Sequence, residues 1–369
     1  MRLTQAGLDG VFERLAQDAA DGCMSVAALA VGDERGLVRK GVFGSDAAAR
    51  RGRATIDGES LFFLASVTKP IFATAFMQLY DEGLVALDDP ICRWLPEFDT
   101  RQKRAVTVRH LLAHTSGVPD VLPDTIRRQR PSAAGMIQMA LSAPLAFEPG
   151  TRWEYSSATF YLLAEICRRL TGLDAADYLD QRLLVPLGMT DTGFDPRRRG
   201  RTMVPVRGVG ADNPIKRFFL LRFVVALGHP GGGLWGSLDD LVRFGSALLA
   251  PRRQEGRWIP VSRKTFALMG EDHAGGVPGV IAGEERPVRH GLAWGKPTLN
   301  HPIAGSPSVV DHGGATGTRL WIDPDTRLVF VYFTNQWQPD RGPELTALRG
   351  VYEALGITAG ATGAVPVGG

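Results

Sequence analysis

Apolar residues recur at three- and four-residue intervals near the start of the chain (Leu3, Leu8, Val11, Phe12, Leu15), which predicts a helix over residues 3–20. Two strand-like runs follow, 25–31 and 37–43, split by the turn-forming Gly32-Asp33-Glu34-Arg35-Gly36, and predict an antiparallel hairpin. Leu61-Phe62-Phe63-Leu64 is a short apolar run. From Ser66 the helical period returns: Ile71, Phe72, Ala75, Phe76, Leu79 and Tyr80 share one side, and Gly83 is a natural stop. The middle, roughly 91–290, predicts helices at 108–114, 133–141, 158–170, 175–184, 239–249 and 263–269, joined by loops rich in Gly, Pro and Arg. Residues 319–322 and 328–333 alternate around Asp323-Pro324-Asp325-Thr326 and predict a second hairpin, followed by a last helix over 342–355.

Strands therefore lie at both ends of the chain and helices between them. The economical fold is α/β of the α+β type: one antiparallel sheet built from both chain ends, flanked by helices, with a mostly helical domain inserted. The expected division is 1–90 together with 291–357 for the sheet domain and 91–290 for the helical one. The Gly/Ala/Val tail, 358–369, lacks periodicity and is expected to fray. A length of 369 residues suits two domains or one large one.

Charge narrows the partners. Lys+Arg number 42 against 39 Asp+Glu, a surplus too small for a protein held to nucleic acid by phosphate neutralisation. No apolar run approaches the roughly 20 residues that cross a bilayer, so no membrane partner is expected. Cys23, Cys92 and Cys167 are scattered, with no C-x-x-C pair, which suits a reducing compartment. The opening residues run straight into the first helical pattern, so a cytoplasmic protein is expected. The basic stretch Arg197-Arg198-Arg199-Gly200-Arg201 reads as a solvated face.

Three stretches could carry chemistry. In Ser66-Val67-Thr68-Lys69 the serine and lysine lie nearly one helical turn apart and project from the same side. A serine in the first turn sits at the positive end of the helix dipole, and an unprotonated lysine beside it could take the hydroxyl proton. Tyr155-Ser156-Ser157 precedes a predicted helix, a junction from which a phenol can relay protons. Asp311-His312-Gly313-Gly314-Ala315 precedes the strand at Arg319. Its glycines let backbone pass close to a ligand, and a strand-edge N–H there could serve an oxyanion. His110 and His114 have the spacing of a metal pair but lack the H-E-x-x-H acid, so no metal is expected. His229, Trp235 and Trp294 are candidates for the walls of a cleft.

The order Ser66–Lys69, Tyr155-x-Ser157, His312-Gly313-Gly314 resembles the three boxes of the serine β-lactamase and penicillin-binding-protein superfamily. With tyrosine in the second box, it is similar to the class C branch, which also holds family VIII carboxylesterases. Phe63–Pro70, His110–Gly117, Pro149-Gly150 and Gly231–Leu234 look like landmarks of the same family, so the resemblance spans about residues 5–356. It implies Ser66 as an acyl-enzyme nucleophile, Lys69 as its base and Tyr155 as proton shuttle. The backbone N–H groups of Ser66 and Ala315 would form the oxyanion hole, and Ser157, His312, Gly313 and Gly314 would contact substrate. It implies no cofactor. Two positions depart from the pattern. Ser157 stands for asparagine, which weakens peptide or lactam side-chain recognition. His312 stands for lysine, which weakens the case for a substrate carboxylate. The expected activity is therefore hydrolysis of small carboxylic esters. A β-lactamase, a D-amino-acid amidase or DD-peptidase, an acyltransferase and a non-catalytic scaffold are the rivals.

Overall fold

A computed structural model describes residues 3–44, 56–210, 213–250, 258–281, 283–296, 303 and 305–357, so the expected frayed tail lies outside the described residues. Strands β1 (Val26–Asp33) and β2 (Gly36–Gly44) form the first hairpin, and β8 (Arg319–Asp323) and β9 (Leu328–Thr334) form the last. With β7 (Val310–Gly313) they make one five-stranded sheet in the order β2-β1-β9-β8-β7, antiparallel throughout. The first strand pairs directly with the last, Ala27 opposite Thr334 through Gly32 opposite Val329, so the two chain ends share one ladder.

Both faces of the sheet are covered, which is why β1 and β9 are buried along their whole length and apolar except at Asp33 and Thr334. Ala28, Ala30, Val329, Val331 and Phe333 face the main core, shared with the helix Thr68–Asp81 and the helix Leu238–Leu249. Ala27, Leu29, Val31, Phe330 and Tyr332 face the helices Asp9–Ala20 and Gly342–Ala354. Gly245 lies so close to the sheet that an added Cβ would stand 2.6 Å from Val329 Cγ1, so this helix–sheet contact requires glycine. The intervening chain supplies the helices Val108–Leu112, Ala133–Ser142 and Ala158–Thr171.

The structure departs from the sequence reading in four places. The predicted helix 108–114 stops at Leu112, and His114 turns left-handed at φ 60°. The predicted helix 175–184 breaks into Ala175–Leu179 and a π-turn over Asp180–Leu184. Helices Pro123–Gln129 and Pro214–Leu227 and the hairpin of β5 (Pro278–Ile281) with β6 (Glu284–Pro287) carried no recognised signal. Finally, the segment holding His312 is itself the edge strand β7. Asp, His and Gly are poor strand formers. The pairing is secured instead by a buried ion cluster in which Arg319 of β8 bonds Asp311 of β7 and, at 2.8 Å, Glu344 of the last long helix.

Candidate active site

The serine sits on a tight turn. β3 (Phe62–Phe63), paired with β4 (Trp235–Gly236), runs into Ala65, a non-glycine residue at φ 47°, and a short 3-10 turn over Ala65–Val67 then opens the Thr68–Asp81 helix. Such left-handed backbone is costly without glycine and persists only when neighbours hold it. Here the Leu64 N–H donates to the Leu234 carbonyl at 2.9 Å. Thr318 Oγ1 donates to the Leu64 carbonyl at 2.8 Å and Thr316 Oγ1 to the Phe63 carbonyl at 2.6 Å. The turn leaves Ser66 half-buried and open to a ligand.

Lys69, one turn further, is fully buried. Its Nζ lies 3.4 Å from Ser66 Oγ, 3.0 Å from Ser157 Oγ and 2.7 Å from the Gly231 carbonyl, which uses all three donors of an ammonium. Burial lowers its pKa from 10.5 to about 7, opposed only in part by the charge of Asp120. The amine is therefore substantially unprotonated at neutral pH, although it keeps polar partners.

Tyr155 closes the third side. Its ring centroid is 4.6 Å from Lys69 Nζ, and its hydroxyl feels the Ser66 side chain. Burial raises its pKa, so the phenol keeps its proton, and the influence of Ser66 acts the other way. The left-handed turn at His114 swings that imidazole beneath the tyrosine, with ring centroids 4.7 Å apart. His114 Nδ1 accepts the Ser156 N–H at 3.2 Å, and the His114 carbonyl accepts the Glu154 N–H at 3.0 Å. Both bonds fix the segment that carries Tyr155. Burial holds His114 and His312 well below the usual histidine range and lowers His290 to about 4, so this cluster is neutral at pH 7. Lys69 is thus the group among them that titrates near neutrality.

The glycine box meets the serine turn. An alanine Cβ at Gly314 would collide with the Leu64 carbonyl and Thr318 Oγ1, so the close approach requires glycine. Ala315 follows directly, its carbonyl accepting the Gln338 N–H at 2.7 Å. His312 lies 6.2 Å from Tyr155, ring centroid to centroid, with its Nδ1 2.9 Å from the Gly313 carbonyl.

The three boxes therefore converge, and Ser157 keeps contact with Lys69 despite being shorter than asparagine. Of the candidate cleft walls, Trp294 is fully buried against Phe266 and lines no cleft, and Trp235 is buried against Phe63. A cavity of about 430 Å³ beside Tyr155 is lined instead by Arg152, Trp153, Glu154, Tyr155, Val280 and Ile281. His229 stacks on Tyr161 at 4.6 Å and accepts the Gly231 N–H at 3.0 Å, which orders the carbonyl that Lys69 uses. His110 caps its own helix with Thr107. The basic stretch pairs outward, Arg197 with Asp195 at 2.7 Å and Arg201 with Asp191 at 3.1 Å. The roles of Gly231, His114 and His290 were missed because they join the site from distant parts of the chain. The His110–Gly117 and Gly231–Leu234 landmarks offered a signal for His114 and Gly231, and nothing pointed to His290.

A strained serine turn, a buried amine and a phenol meeting on this sheet define a serine hydrolase with a β-lactamase-like fold. A family model described as Beta-lactamase matches residues 11–353, and the chain belongs to that family. Esterase EstB of Burkholderia gladioli is 33% identical over 332 residues, covering 79% of this chain and 81% of that protein. The acyltransferase calJ of Penicillium decumbens is 28% identical, covering 77% and 78%. A solved family VIII carboxylesterase superposes with a TM-score of 0.77 at 21% identity, covering 96% of this chain and 99% of that one.

Proposed function

We propose that this serine hydrolase is a carboxylesterase acting on small esters, with Ser66 as nucleophile. The observation that carries the reading is the buried Lys69 amine, its pKa lowered to about 7, within reach of Ser66 and beside the Tyr155 ring. Ser66 Oγ attacks the ester carbonyl while its proton passes to the neutral Lys69 amine. The backbone N–H groups of Ser66 and Ala315 receive the developing oxyanion. Tyr155, beside Lys69, delivers the proton to the departing alkoxide. In the second half-reaction it takes a proton from the attacking water, and Ser66 regains its own. Ser157 and the Gly231 carbonyl hold the amine in place, while Gly313 and Gly314 bring the β7 edge to the substrate.

The neutral His312 argues for uncharged esters over lactams and peptide C-termini, whose carboxylates favour a cation there. Acyl transfer is a second reading, favoured by the acyltransferase relative, because the same acyl-enzyme can meet an alcohol or amine before water. The free Cys23, Cys92 and Cys167 suit a cytoplasmic setting. A fluorophosphonate probe should give one adduct, at Ser66, absent in Ser66→Ala. Turnover of p-nitrophenyl butyrate and nitrocefin should favour the ester. Absence of the adduct removes Ser66 from the chemistry, and turnover of nitrocefin alone overturns the esterase reading.

A further inference from the structure

The helix Pro214–Leu227 is apolar in sequence yet exposed in the fold. Among its described side chains Leu227 alone is buried. Ile215, Phe218, Phe219 and Leu220 are 69%, 54%, 64% and 38% exposed. A helix that apolar is normally buried, and exposed apolar residues grouped in this way mark an interaction surface. Ile215, Phe218, Phe219 and Arg222 follow at three- and four-residue steps and share one side, with the Arg222 guanidinium 5.6 Å from the Phe218 ring centre. The inner side rests on a small cluster in which Phe223 and Leu227 meet Val121, Ile126, Met136 and Tyr161. Leu122, at the start of the Pro123–Gln129 helix whose Ile126 packs in this cluster, is also 67% exposed.

Charge decides the occupant. The helix sequence carries Lys216, Arg217 and Arg222 and no acid, and the neighbouring segment adds Arg127, Arg128 and Arg130 against Asp124 alone. A second copy of the chain docking through this face would bring like charges together across a two-fold contact. An anionic lipid surface satisfies both the aromatic stripe and the cations, and the cytoplasmic leaflet of a membrane is such a surface.

We propose that the Pro214–Leu227 helix adsorbs to an anionic lipid surface, with Ile215, Phe218 and Phe219 in the interface and Lys216 and Arg222 at the headgroups. The expectation of no membrane partner came from the lack of a spanning run, and adsorption needs only one face of a helix. The helix leads through Gly228 and His229 to Gly231, whose carbonyl holds Lys69, so the adsorbed element adjoins the reactive amine. The proposal does not depend on which ester is cleaved.

The test is co-sedimentation of the full chain with vesicles of phosphatidylcholine alone and mixed with phosphatidylglycerol. The wild type should bind the anionic vesicles and be released by salt. A double variant, Phe218→Ser with Phe219→Ser, should bind at least about tenfold more weakly. Its hydrolysis of soluble p-nitrophenyl butyrate should stay within about twofold, which shows that it is folded. Absent binding, or equal binding by the variant, overturns the proposal. So does a wild-type dimer that the double variant dissociates, since the face would then belong to a second copy.

Discussion

Replacing Lys69 by methionine separates its electrostatic cost from its chemistry. Holding a buried ammonium at a pKa of about 7 rather than 10.5 costs about 5 kcal/mol of folding stability when the group is fully protonated, at about 1.36 kcal/mol for each pH unit. The folded amine releases its proton near 7 and the unfolded one near 10.5. Across that window the unfolded chain holds the extra proton, so wild-type stability rises with pH. Lys69→Met removes the titration but keeps the apolar volume. The carbonyl of Gly231 and the hydroxyl of Ser157 lose a partner, a loss that does not change with pH. Urea unfolding of both proteins at pH 6 and pH 9 should therefore show the variant gaining on the wild type by about 2–3 kcal/mol more at pH 6 than at pH 9. Equal differences at the two values would mean that the amine titrates normally, and the argument for a neutral base would fail. The wild-type rate should in turn rise with pH through about 7, because the base form is the neutral amine.

Tyr155→Phe removes the phenol hydroxyl beside the Ser66–Lys69 pair and should lower kcat by about 10²–10⁴-fold with the melting temperature little changed; a loss below about threefold would take Tyr155 out of the proton path. Gly314→Ala forces the β7 end away from the Leu64 carbonyl and should cost about 10²–10³-fold in kcat, the scale of one lost oxyanion donor. An unchanged kcat there would show that the glycine approach serves packing alone.

The two terminal hairpins were legible because each needs only its own turn and strands. The helix carrying Ser66 and Lys69 was legible because its apolar side repeats within one element. β7 was not, since an Asp-His-Gly-Gly run has no strand preference and pairs only because Arg319 binds Asp311 and Glu344 from elsewhere. The exposed Pro214–Leu227 helix escaped for the opposite reason. Its apolar residues lie on nearly every side, so no polar face outlines it.

By itself the sequence determined which side chains could react, because a serine and a lysine three residues apart on a helix start share a side whatever surrounds them. It also determined that both chain ends would supply strands. Tertiary structure alone decided that the lysine titrates near neutrality, that His114 supports Tyr155, and that the Gly231 carbonyl holds the amine. Each depends on burial or on contacts between residues far apart in the chain, and local spacing does not encode desolvation.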